Sequence, residues 1–183
     1  MVVESINDIE IIAATPDDAE GVLDVQYKAW LMTYPNAEAG ITVGDVEDRS
    51  KNFFTPEGIE KRKERYRNPI TTDRILVAKV SNHTVGFCIV QKFPEKNQLR
   101  AIYVHIKFQR KGVGGKLWKE TLHFLNPLKD TYVEVADYII QAINFYKKLG
   151  FVDTERRWSD EKFKMKSGAV IPEMEMMRKG TSK

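Results

Sequence analysis

The stretch Leu99-Arg-Ala-Ile-Tyr-Val-His-Ile-Lys-Phe-Gln-Arg-Lys-Gly-Val-Gly-Gly-Lys-Leu117 constrains the fold more than any other. An apolar strand runs straight into a glycine-punctuated helix start, where Gln109, Gly112 and Gly114 form Gln-x-x-Gly-x-Gly and Gly115 follows. Glycine lets a backbone turn tightly and approach a ligand with no side chain between them. The first N–H groups of a helix lack intrahelical partners and sit at the positive end of its dipole, so a phosphate is stabilised there. Arg110 and Lys111 beside the turn and Lys116 one turn on add positive charge. Val113, Leu117, Thr121, Leu122 and Leu125 recur at helical spacing, predicting a helix over Gly112–Leu125. The residues build a pyrophosphate cradle at a strand–helix junction.

Spacing excludes two cradles. A Walker loop needs Gly, four residues, then Gly-Lys-Ser/Thr, but Gly115-Lys116 is followed by Leu117 and preceded five positions back by Arg110. The dinucleotide pattern needs a third glycine where Leu117 stands. What remains resembles the acetyl-coenzyme A signature of the GCN5-related N-acetyltransferase (GNAT) superfamily, Gln/Arg-x-x-Gly-x-Gly/Ala. A second segment, Gln141-Ala-Ile-Asn-Phe-Tyr-Lys-Lys-Leu-Gly-Phe151, is similar to that superfamily's Ala-x-x-Phe-Tyr-x-x-x-Gly-Phe. Ile139, Ile143, Tyr146 and Leu149 share a helical face, and Gly150 suits a C′ position closing the helix. The resemblance is specific over residues 73–151.

The remaining elements fit one domain over 1–183, an α/β (α+β) fold with a mixed central sheet of six to seven strands flanked by helices. A strand is expected at about Ile9–Ala13, then a helix opening at Thr15-Pro-Asp-Asp18 with a hydroxyl cap, an early proline and two acids. It runs to about Leu31 and is expected to bury Ala19, Val22, Leu23, Gln26, Ala29 and Trp30. Helices are expected at Asp45–Phe54 and Pro56–Arg67, and strands at Arg74–Val80 and Val85–Lys92 joined by Ser81-Asn82-His83. Leu99–His105 and Tyr132–Val135 read as strands, Ile139–Leu149 as a helix, and Phe151–Trp158 and Pro172–Arg178 as terminal strands.

This is the superfamily's element order. The resemblance implies a splayed fourth and fifth strand pair holding the pantetheine arm of acetyl-CoA against the backbone of Ile102, Tyr103 and Val104. It also assigns the diphosphate to the segment Gln109, Arg110, Lys111, Gly112, Val113, Gly114, Gly115 and Lys116, with Lys148 either reaching the phosphates or standing in solvent. Helices over about 15–67 and the terminal strands (about 151–178) would bind the acceptor, a primary amine of a small molecule, polyamine or peptide.

Acetyl transfer to an amine needs a neutral nitrogen, an oxyanion donor and a proton for the leaving thiolate. An alkyl ammonium has a pKa of about 10.4, so a base or a desolvating pocket must deprotonate it. The resemblance implies Val104 N–H as oxyanion donor and Tyr146 as the acid toward sulfur, besides a cofactor contact. Relatives often place a Glu or His near the start of the fourth strand, but Asn97-Gln98-Leu99-Arg100 holds neither, which favours relay through water. Glu134, whose neighbours Val133 and Val135 face the other side of the strand, is either a base or a solvent-facing residue. His105 is a catalytic candidate or a packing residue beside the turn. Ile139 stands where many relatives carry asparagine, so that cofactor contact is lost, moved or replaced by backbone, and Asn144 does not inherit it.

On the acceptor side, Tyr27, Trp30 and Tyr34 recur at three- and four-residue spacing and either wall a pocket or form an ordinary core stripe. Trp158 and Met174 are further acceptor-side candidates, and Glu38, Asp45, Glu47 and Asp48 would attract a cation. The run Lys61–Arg67 reads as a solvated helix face with intrahelical pairs, the net charge of +3 is too small to argue for nucleic acid, and no nucleic-acid partner is expected. The one cysteine, Cys88, lies in a strand-like apolar run and reads as inert. No metal site is expected. No long apolar run or basic-then-apolar leader is read, so a cytoplasmic protein without membrane attachment is expected, with a homodimer open. A non-catalytic acyl-CoA sensor is the alternative function.

Overall fold

The computed structural model describes residues 9–181, so the N-terminal stretch read for a leader, residues 1–8, lies outside the described residues. Seven strands form one mixed sheet: β1 Glu10–Ala13, β2 Asp73–Val80, β3 His83–Lys92, β4 Asn97–Val104, β5 Thr131–Ala136, β6 Val152–Ser159 and β7 Pro172–Arg178. Their spatial order is β1-β2-β3-β4-β5-β7-β6, antiparallel throughout except for β4–β5. The helices are α1 Ala19–Thr33, α2 Val43–Ser50, α3 Pro56–Arg67, α4 Val113–Thr121 and α5 Ile140–Lys148.

Local chemistry accounts for most boundaries. Thr15 and Asp18 form a capping box around the short 3-10 turn Pro16–Asp18 that leads into α1. Thr42 and Asp45 form another, so α2 begins before Asp45 and ends at Ser50, clear of the chain needed for the Thr55 cap of α3. Ser81 (φ 47°) and Asn82 (φ 66°) are both left-handed, which makes the β2–β3 connection a two-residue hairpin of the twist-compatible kind. α4 stops at Thr121 rather than Leu125, where the Thr121 hydroxyl donates to the Trp118 carbonyl (2.7 Å) and competes with helix continuation.

Two apolar clusters sandwich the sheet. On one face α4 and α5 bury Leu99, Leu117, Trp118, Val133, Val135, Met174 and Met176. On the other, α1 packs Val22 and Val25 against Val77, Phe87 and Ile89, with Ala101 and Tyr103 alongside. Val25 is buried where Gln26 was expected; Gln26 instead accepts a hydrogen bond from Arg62 of α3 (2.9 Å). Trp30 is half-buried.

β4 and β5 pair over only three positions, Asn97↔Thr131, Gln98↔Tyr132 and Leu99↔Val133. Arg100 is the extra residue of a β-bulge, because Ile89 faces Ala101 while Val90 faces Leu99. A bulge bends its strand and raises its twist, and here β4 parts from β5 at that residue. The closed end is clamped by Asn97, 1% exposed, whose amide donates to the carbonyls of Asn126 (2.8 Å) and Lys129 (3.1 Å) and accepts from Asn126 N–H (3.1 Å). Asn97→Ala strands these buried groups and is expected to cost about 2–3 kcal/mol. Thermal denaturation should show a Tm lower by roughly 4–12 °C.

Candidate active site

The open end of the splay meets the glycine turn. β4 ends at Val104, a 3-10 turn covers Ile106–Phe108, and α4 starts after Gly112, whose φ of +80° is open to glycine at little cost. Among the described residues, the backbone N–H groups from Arg110 to Gly115 have no hydrogen-bond acceptor, and Lys116 N–H is the first to close, onto Gly112 (3.0 Å). A Cβ added to Gly112 or Gly115 would meet nothing within 4 Å, so this face is open. At Gly114 it would lie 3.1 Å from the Phe145 ring, so α5 approaches there because the side chain is absent. A row of open donors on a glycine face fits the diphosphate of coenzyme A.

Gln109 holds this turn in place. Its Nε2 donates to the Val104 carbonyl (3.1 Å), and its Oε1 accepts from Gln141 of α5 (3.0 Å). Arg110 and Lys148 border the cavity described below. Lys116 is exposed on α4, and Lys111 is held with its ammonium 5.3 Å from the Phe108 ring; neither borders the cavity.

Along β4, His105 N–H donates to Val85 across the β3 side (2.9 Å). Successive backbone groups alternate, so Val104 N–H and Ile102 N–H point away from β3 into the splay. Tyr146 borders the same gap from α5 and is 7% exposed. Burial, with smaller contributions from Tyr103 and Cys88, pushes its phenol well above the usual range and keeps it protonated.

From the turn, a single cavity of about 1250 Å³ passes through the splay to the opposite face of the sheet. There Trp30 and Tyr34 of α1 stand with rings 5.7 Å apart, and the hydroxyls of Tyr34 and Tyr103 share a hydrogen bond (3.3 Å). Tyr138 donates to the Tyr34 carbonyl (2.9 Å). The Tyr34 phenol is raised mainly by Tyr103 and then by burial, and Tyr103 mainly by burial, so both are neutral donors. Tyr103 thus contributes its side chain to the acceptor face as well as its backbone to the splay. Arg49 of α2 roofs this end, donating to the Phe163 carbonyl (3.0 Å) with its guanidinium 5.2 Å from the Phe163 ring.

Glu134 of β5 is exposed and borders the cavity, on the face opposite buried Val133 and Val135. Glu173 of β7 borders it too and is half-buried; burial and then Glu134 raise its carboxyl above the ordinary glutamate range, reinforced by Asp160 and opposed by Trp158 and Arg49.

Several expected site residues lie elsewhere. Tyr27 packs edge-on against Phe54 (5.8 Å) and does not border the cavity. Met174 faces the core, 4% exposed, because the alternation of β7 sends Glu173 and Glu175 to the acceptor face instead. Trp158 is paired opposite Glu173 on β6, outside the cavity wall. Asp45 is buried in its capping box and accepts from Ser167 N–H (2.7 Å), bonds that hold its carboxyl far below the usual range. Asp48 pairs with Lys51 (3.1 Å), and Glu38 and Glu47 are exposed away from the cavity. His105 accepts from Lys107 N–H (3.3 Å) outside the cavity, its imidazole pKa lowered by burial and then by Lys28. Cys88 is fully buried and its thiol is pushed up by that burial. In the basic run Arg67 pairs with Glu60 and Glu64 and Arg65 with Asp73, while Arg62 bonds Gln26 of α1. Ile139 borders the cavity at the start of α5, and Asn144 lies on its exposed side, also at the cavity edge.

Sequence reading passed over Gln98, Arg49 and Glu173. Gln98 is 4% exposed, borders the cavity and makes no side-chain hydrogen bond among the described residues. The alternation Glu173-Met-Glu-Met176 was the available signal for Glu173. Arg49 and Phe163 meet only through tertiary packing.

A family profile described as an acetyltransferase (GNAT) domain matches residues 71–153. A search of curated proteins finds no significant match. Among solved structures, the PaiA N-acetyltransferase of Thermoplasma acidophilum in complex with coenzyme A superposes with a TM-score of 0.70 at 18% identity, covering 93% of this chain and 98% of that one. A GCN5-related N-acetyltransferase of Rhodopseudomonas palustris gives 0.68 at 17% identity, covering 98% and 99%. Ard1 of Thermoplasma volcanium gives 0.62 at 20%, covering 96% and 99%. The glycine turn and the parted β4–β5 pair thus lie within a segment, residues 71–153, that matches the GNAT acetyltransferase domain, and the chain as a whole shares the fold of a coenzyme A-bound N-acetyltransferase.

Proposed function

We propose that the protein moves the acetyl group of acetyl-CoA to a primary amine of a small molecule, polyamine or peptide, by direct attack in a ternary complex. The observation that carries this is the continuity of one cavity from the glycine turn, past Val104 and Tyr146, to the Trp30–Tyr34 wall. An acceptor entering from the α1 side and a donor held at the turn can meet in the splay. The only cysteine is sealed in the core, which weighs against relay of the acyl group through an enzyme thiol. A cytoplasmic setting accords with a single reduced, buried cysteine.

When bound, acetyl-CoA supplies a thioester carbonyl activated for attack. The open N–H groups from Arg110 to Gly115 and the cations Arg110 and Lys148 hold its phosphates in this reading. The Val104 N–H, which points into the splay, would donate to a thioester carbonyl oxygen placed there and stabilise the negative charge that develops on it. Tyr146 keeps its proton until the sulfur departs, then gives it up. An unperturbed phenol of pKa about 10 is already a weaker acid than a thiol of about 8.5, and burial weakens Tyr146 further, so its proton would pass only as the C–S bond breaks beside it in the gap. Glu134, Glu173 or a water held by the unpartnered Gln98 amide stands on the side from which the amine arrives. Aromatic faces at Trp30 and Tyr34 stabilise an ammonium by about 0.5–2 kcal/mol.

Two outcomes test the reading. Gly112→Val forces a branched side chain into left-handed backbone and crowds the open face, so calorimetry should show acetyl-CoA affinity at least tenfold weaker. Unchanged affinity removes the turn as the diphosphate site. Tyr146→Phe should lower kcat by about 10²–10⁴-fold with little change in acetyl-CoA affinity. Thiol release across a panel of primary amines identifies the acceptor, whereas tight cofactor binding with no release from any amine is the behaviour of a sensor.

A further inference from the structure

We propose that Glu173 receives the acceptor's ammonium and takes its first proton, with Glu134 beside it setting how readily it does so. This rests on the amine-acetylation reading above. β7 lies antiparallel to β5 with Ala136 opposite Glu173 and Glu134 opposite Glu175, so Glu134, Glu173 and Glu175 share the acceptor face. The three are treated differently. Glu175 is 5% exposed and neutralised, accepting from Arg156 (3.1 Å) and from the Thr154 hydroxyl (3.1 Å). Glu173 and Glu134 have no ion-pair partner among the described residues, although Glu173 is half-buried and borders the cavity.

A half-buried carboxylate without a counter-ion is costly, and a ligand cation relieves that cost. The surroundings fit an ammonium. Opposite Glu173, Ala136 projects only a methyl group, and it is Glu173 that borders the cavity. Glu134 from β5 and Asp160 beyond β6 add negative charge. Tyr34 from α1 and Tyr103 from β4 face it as neutral hydroxyls, and Trp158 of β6 flanks it. Among the described residues the cation facing it is Arg49 of α2, which donates to the Phe163 carbonyl, lies over its ring, makes no ion pair with Glu173 and lowers its carboxyl less than the other groups raise it. Burial and Glu134 raise the Glu173 carboxyl, which makes it a better proton acceptor than an exposed glutamate.

The step balances without another reactant. R–NH3⁺ gives one proton to the Glu173 carboxylate, leaving R–NH2 and a carboxylic acid. The nitrogen lone pair forms the C–N bond, and the C–S bond breaks with its electron pair on sulfur. Tyr146 protonates the sulfur and regains a proton from the acylated nitrogen, while Glu173 returns its own to solvent through the cavity mouth.

The test is the pH dependence of kcat/KM for the best amine in the panel, with carboxyl titration by ¹³C NMR on the same protein. In the wild type the acid limb should coincide with the Glu173 carboxyl, because protonation removes the acceptor of the proton. Glu173→Gln should lower kcat/KM at pH 7 by about a hundredfold and abolish that limb, with acetyl-CoA affinity unchanged. Glu173→Asp should restore part of the rate. Glu134→Gln removes a like charge, so both the limb and the Glu173 titration should move to lower pH. Wild-type turnover with an unaltered profile in Glu173→Gln overturns the inference alone, as does loss of the limb in Glu134→Gln. A wild type that turns over no amine overturns the acetylation reading and this inference with it.

Discussion

The end of β4–β5 pairing at Leu99↔Val133 is the constraint on which the rest of the molecule depends. A sheet interrupted in its middle leaves backbone donors and acceptors without strand partners, and buried groups of that kind must find others. Here they border a cavity instead of a neighbouring strand. The single inserted residue, Arg100, accomplishes this while Asn97 keeps the other end of the same pair shut. One strand is therefore bonded to its parallel neighbour at its start and free of it at its finish, where the glycine turn follows.

Burial and charge then divide the cavity. Its donor end presents unpaired N–H groups, Arg110 and Lys148, a surface suited to phosphates. Its acceptor end presents Glu134, Glu173 and the Trp30–Tyr34 rings, a surface suited to an alkyl ammonium. Between them Tyr146 and the Tyr34–Tyr103 pair are all kept neutral and so retain their hydroxyl protons. The opposing polarity of the two ends follows from placement in the fold: the start of α4 borders one end of the cavity, and outward-facing β5 and β7 positions border the other.

Local signals carried much of this. Thr55 with Pro56 marks the start of α3, the alternation of Pro172–Arg178 marks β7, and the glycine turn together with Phe145-Tyr146 marks the donor end. Features set by distant neighbours left no such mark. A one-residue bulge at Arg100 changes neither composition nor periodicity enough to be read. Asp45 looked like a surface acid because its bond to Ser167 spans most of the chain. Tyr27 shares a spacing with Trp30 and Tyr34, yet Phe54 draws it aside, which spacing along one helix does not encode. Glu173 needed both its own alternation and the knowledge that β7 lies next to β5.

The roof of the acceptor end has a consequence for how such a chain diversifies. Arg49 fastens α2 to Phe163, and Asp45 fastens it to Ser167, so the entrance is framed by segments that contribute nothing to the glycine turn. Changes in α2 or in the connection between β6 and β7 can reshape the doorway while the nucleotide grip stays as it is. Under the proposed function, preference for one amine over another is thus free to drift independently of the acetyl transfer itself.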